Sequence, residues 1–129
     1  MKFMLTMNVK SGPYQIGQWA KEEMRAHIEY MRQLNRELKA AGQFVDAQGL
    51  VSPDQARLVK ANDDGSPSVT DGPFAESKEF IAGFWIVDVK DAAEAYAFAA
   101  KASAAPGPGG TPLNMPIEVR AVGAPPPTD

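Results

Sequence analysis

Residues 80 to 89, FIAGFWIVDV, constrain this chain more than any other stretch. Read as a strand, they set Phe80, Ala82, Phe84 and Ile86 on one face and Ile81, Gly83, Trp85, Val87 and Val89 on the other. Both faces are apolar, so both need cover. A helix layer supplies cover on one side of a sheet. The other side must meet a second surface.

The remaining elements are arranged to build such a sheet. Phe3, Leu5, Met7 and Val9 alternate with Lys2, Met4, Thr6 and Asn8, which is the period of a strand, and Ser11-Gly12-Pro13 ends it. Residues 18 to 41 read as one long helix, with Met24, Ile28, Met31, Leu34, Asn35 and Leu38 gathered on one stripe and Gly42 as its stop. QFVDAQGLV (43 to 51) reads as a strand interrupted at Gly49. ARLVKA (56 to 61) and PSVT (67 to 70) read as the arms of a hairpin turning at Asn62-Asp63-Asp64-Gly65. After the strand 80 to 89, Asp91 is placed to cap a second helix, DAAEAYAFAAKAS, with its alanines, Tyr96 and Phe98 inward. APGPGGTP is a loop, IEVRAV (117 to 122) a last strand, and residues 124 to 129 a flexible tail.

The order is β-α-β, a hairpin, then β-α-β. This predicts an α+β chain with the split βαβ pattern of a ferredoxin-like domain over residues 1 to 123, an antiparallel sheet with two helices on one face. Two helices cover one face only. The two-sided strand therefore predicts a partner, and a homodimer supplies it most simply.

Composition excludes several functions. The net charge is −3 over 129 residues with no basic block, which argues against direct nucleic-acid binding. The absence of cysteine removes disulfides, thiolate nucleophiles and Cys-based zinc sites, and with one histidine no ordinary metal site is expected within a single chain. No GxGxxG or P-loop is present, and Gly107-Pro108-Gly109-Gly110 reads as a plain loop, so no cofactor is expected. MKFMLTMNV is too short and polar for a leader or a membrane span. A cytoplasmic location without membrane contact is the expectation.

Two stretches carry a resemblance. DGPFAESKE (71 to 79), followed by an apolar strand, an Ala-rich helix and GGTPLNMPIEVRAV, resembles the DGPF subgroup of the YCII-related family. MRAHIEYMRQL (24 to 34) is similar to that family's first-helix segment with its single histidine. The ending EVRAV departs from the family's usual proline after the arginine. The resemblance implies a ferredoxin-like fold that pairs as a dimeric α+β barrel, and an active site of histidine and aspartate. One relative is a dehydrochlorinase acting on a chlorinated hydroxyquinol, and DGPF members are also described as transcription-associated.

His27 is the only histidine and so the only side chain that titrates near neutrality unaided. Its helical angle places it within the apolar stripe. It is either a core-edge residue bonded to a carbonyl or a general acid–base group that a carboxylate orients. Asp71 is the first choice for that carboxylate and Glu76 the second. Asp before Gly-Pro is also ordinary turn chemistry, and Gly72, Pro73 and Phe74 read as architecture. Tyr14, Trp85 and Arg120 are candidate binding residues for a small aromatic or anionic ligand; a core or interface role for Trp85 and an exposed, ion-paired Arg120 are the plainer readings. Two functions stay open: a small cofactor-free enzyme performing proton abstraction or elimination on a cyclic or aromatic substrate, and a non-catalytic binding or regulatory module.

Overall fold

The computed structural model describes residues 1–9, 18–71 and 80–127. Its elements are β1 (Lys2–Val9), α1 (Lys21–Ala40), β2 (Phe44–Gly49), β3 (Arg57–Ala61), β4 (Pro67–Asp71), β5 (Phe80–Asp88), α2 (Ala92–Ser103) and β6 (Ile117–Ala121). The main sheet has the order β2-β5-β1-β6, and every neighbouring pair in it is antiparallel. The chain is α+β, and this order with its two helices is consistent with a ferredoxin-like fold. β3 and β4 form a separate two-stranded hairpin.

The helix boundaries follow from local chemistry. α1 starts at Lys21, three residues inside the expected span, and ends where Gly42 takes a φ of +70°. There the amide of Gly42 donates to Lys39 and that of Gln43 to Leu38, which satisfies two terminal carbonyls. At the start of α2, the carboxylate of Asp91 accepts from the amide of Glu94 at 3.1 Å.

One core lies between the sheet and both helices. Phe3, Leu5, Met7, Val9, Trp85 and Val87 of the strands, with Val89 just after β5, meet Leu34 and Leu38 of α1 and Ala95, Phe98, Ala99 and Ala102 of α2. Leu5 and Val87 are completely buried. Burying a leucine of this kind is worth about 1.5–3 kcal/mol. The small residues of α2 let the helix sit close to the sheet. Two helical expectations are corrected: Tyr96 and Ile28 are exposed, because the buried arc of α1 centres on His27, Leu34 and Leu38 and that of α2 on its alanines and Phe98.

The two-faced strand also differs from a plain alternation. Met7 pairs with Gly83 but Asn8 pairs with Ile81, so Ala82 is an extra residue in β5. Beyond this bulge the faces exchange. Phe80, opposite Val9, packs on the core, and Ile81, opposite Asn8, is exposed. The face away from the helices holds Met4, Phe84 and Ile86, all half-buried, between Asp46 on β2 and Glu118 and Arg120 on β6. No helix among the described residues is long and apolar enough to cross a membrane. Residues 123 to 127 are exposed and belong to no helix or strand.

Candidate functional site

The lone histidine is the one buried polar side chain among the described residues. Glu23 and His27 stand four residues apart on α1 and so share a face of the helix. That face meets the loop that follows α2. Ala105 and Leu113 close this loop through a bond from the Leu113 amide to the Ala105 carbonyl at 2.9 Å, and the Gly107 amide donates to Thr111 at 2.8 Å. These two bonds flank a bridge between Pro106 and Pro112. Proline has no N–H, and in this position the Pro106 carbonyl points out of the bridge. Gly107 is buried, and a side chain at that position would run into Leu113.

Two bonds join α1 to this loop. Nδ1 of His27 lies 3.0 Å from the carbonyl oxygen of Pro106. The carboxylate of Glu23 accepts from the amide of Gly109 through Oε2 and from the amide of Ala20 through Oε1. Gly109 adopts a φ of +70°, a backbone shape that favours glycine, and its amide faces α1. Trp19 stands edge-on to the imidazole, with ring centroids 5.3 Å apart and planes at 86°. Further along, Tyr30 donates to the carbonyl of Lys101 at 2.8 Å, which pins α1 to α2.

The electrostatics follow from these contacts. Burial lowers the His27 pKa from its usual 6.5, and the bond to Pro106 opposes that only in part. The ring is therefore neutral at pH 7. A carbonyl only accepts, so the bond requires a proton on Nδ1 and leaves the lone pair of the neutral ring on Nε2. The Gly109 and Ala20 amides hold the Glu23 carboxyl below its usual 4.5. Its charge also lies in the first turn of α1, where the helix dipole favours it.

The expected site residues separate. Asp71 does not orient His27: its side chain is 96% exposed and faces Arg57 across the hairpin, Nε to Oδ1 at 3.4 Å. Trp85 is 3% exposed and belongs to the core, where its indole N–H donates to Asn35 and its ring meets Phe98 edge-on. Arg120 is exposed on β6 and pairs with Glu118 of its own strand at 3.6 Å. Tyr14, Glu76 and the Gly72-Pro73-Phe74 corner lie outside the described residues. Among the described residues, a backbone carbonyl, that of Pro106, bonds His27 at Nδ1, while Asp71 faces Arg57. Glu23, Trp19 and Pro106 were missed. Only Glu23 carried a signal, its spacing of four from His27. Among the described residues no cluster of three or more His, Cys, Asp or Glu side chains could hold a metal ion.

An antiparallel sheet under two helices, with a buried histidine between the first helix and the last loop, defines a class of small α+β domains. The chain belongs to the YCII-related domain family, whose model matches residues 1–108. It is also similar to an uncharacterised protein of Rhizobium meliloti (strain 1021), 35% identical over 81 residues, or 63% of this chain and 64% of that protein. The match thus spans less than two thirds of the relative's length.

Proposed function

We propose that the chain is a small acid–base enzyme, acting without a cofactor, in which Nε2 of His27 accepts a proton from a small cyclic or aromatic substrate. The bond from Nδ1–H of His27 to the Pro106 carbonyl, at 3.0 Å in a site where the histidine is 4% exposed, carries this reading. It holds a neutral ring in one tautomer, which is the form a general base needs. In an elimination, the base would take the C–H proton, that electron pair would form the double bond, and the leaving group would depart with its own pair. The imidazolium would then return its proton to water. The DGPF sequence at 71 to 74 supports placement in the DGPF subgroup. The apolar residues Met4, Phe84 and Ile86 on the helix-free face support pairing of two chains as a dimeric α+β barrel. The cysteine-free composition suits the cytoplasm.

The test is hydrogen–deuterium exchange at carbon, followed by NMR in deuterated water, with a panel of cyclic diketones and halogenated dihydroxybenzenes. The native chain should speed exchange for at least one member, and His27→Gln should lose about 10²- to 10⁴-fold of that rate. Exchange that survives the substitution would remove His27 from the chemistry.

A second reading is a non-catalytic ligand-binding or regulatory module, such as a transcription-associated accessory. The hairpin β3–β4 favours it: Leu58, Val59 and Val69 are exposed on a two-stranded ribbon, a unit of marginal stability in water unless something covers it. Under that reading no panel member exchanges, and replacing Val59 and Val69 by serine abolishes partner binding while leaving the His27 resonances unchanged.

A further inference from the structure

The contacts between α1 and the 105–113 loop are not evenly shared. His27 receives its orienting group from a loop that begins after α2, yet the loop itself is bonded to α1 at a second point, through Glu23. The loop is internally stiff. It is closed by the Leu113–Ala105 and Gly107–Thr111 bonds, and Gly110 donates to Gly107 at 3.0 Å. A stiff loop moves as a unit, so fixing Gly109 also fixes Pro106. Glu23 is suited to do this. It lies one turn before His27 on the same face, and its other oxygen is anchored to the Ala20 amide at 2.9 Å, so the carboxylate is held from both sides.

We propose that Glu23 is a positioning residue: by clamping the Gly109 amide to α1, it holds the Pro106 carbonyl on Nδ1 of His27 and so selects the tautomer that leaves Nε2 to accept a proton. This deepens the acid–base reading of His27 and gains its catalytic meaning from it, while the clamp itself is a property of the ground state. Glu23 touches neither the imidazole nor any reacting atom through the bonds described. It acts through the loop.

The chain has a single histidine, so the tautomer can be read directly from long-range proton–nitrogen NMR. In the native protein at neutral pH, Nδ1 should give a protonated resonance and Nε2 an unprotonated one. In Glu23→Ala the two nitrogens should shift toward each other as tautomers mix. Glu23→Gln keeps an acceptor oxygen and should restore much of the native pattern. Glu22→Ala, one position away on the exposed side, should change nothing. A native-like nitrogen pattern in Glu23→Ala would overturn the proposal, as would an Nε2-protonated ring in the native protein. If Glu23→Ala does not fold, amide exchange in the native chain decides: a protected Gly109 amide supports the clamp, and one that exchanges at the rate of an open loop refutes it. Loss of carbon exchange activity is read separately in His27→Gln. The clamp can therefore stand with the enzyme reading gone, or fail with that reading intact.

Discussion

The indole N–H of Trp85 donates to the side-chain oxygen of Asn35 at 2.9 Å, joining the middle of β5 to the C-terminal half of α1. This explains why a polar residue sits on the apolar stripe of the helix. Replacing Asn35 by leucine should leave the indole N–H unpaired in the core and lower stability by about 1–3 kcal/mol. Urea unfolding monitored by tryptophan fluorescence measures the loss. An unchanged midpoint would show that the bond contributes nothing.

At Gly83 the backbone of β5 runs close against β2. A Cβ there would lie 2.8 Å from the backbone oxygen of Gln48 and 3.0 Å from the Met7 methyl carbon. The first of these is backbone and cannot move aside cheaply. Gly83→Ala should destabilise the chain by about 1–3 kcal/mol, as other overpacked sites do. The unfolding midpoint should fall with an unchanged denaturant slope.

Acid should weaken the fold in two stages. Burial holds the His27 pKa below 6.5 in the folded chain, so below that pH the unfolded chain binds more protons and stability falls as pH drops toward the folded pKa. Well above 6.5 both states are neutral at this site and its contribution is constant. Glu23, held below 4.5, adds a second loss as pH falls through its folded pKa. In His27→Gln the first stage should vanish and the second remain, which urea titrations at a series of pH values will show. A first stage that persists in His27→Gln would assign it to another group.

The helix-free face of the sheet should pair two chains. Ile86 lies at its centre between Met4 and Asp46, so Ile86→Glu would put a charge on the paired face beside an existing one. Sedimentation of the native chain should give a dimer, and of the variant a monomer that remains folded by circular dichroism. A native monomer at micromolar concentration would leave Met4, Phe84 and Ile86 without the proposed cover.

Much of the fold was legible because its signals are local. The alternation of β1, the cap at Asp91, the left-handed stop at Gly42 and the hairpin arms all follow from steric and hydrogen-bonding preferences within a few residues. The sequence also brought out His27 as a buried-face residue, since its angle on α1 depends only on helical period. Tertiary structure decided which residues met. The bulge at Ala82 exchanged Phe80 and Ile81 between faces, and nothing near position 82 announced it. Asp71 was drawn to Arg57 because the hairpin register sets them opposite each other. The partner of Nδ1 of His27 is a carbonyl 79 residues away, on a backbone atom that every residue type possesses. A bond of that kind leaves no mark in the amino-acid alphabet, and only the packing of the loop after α2 against α1 creates it.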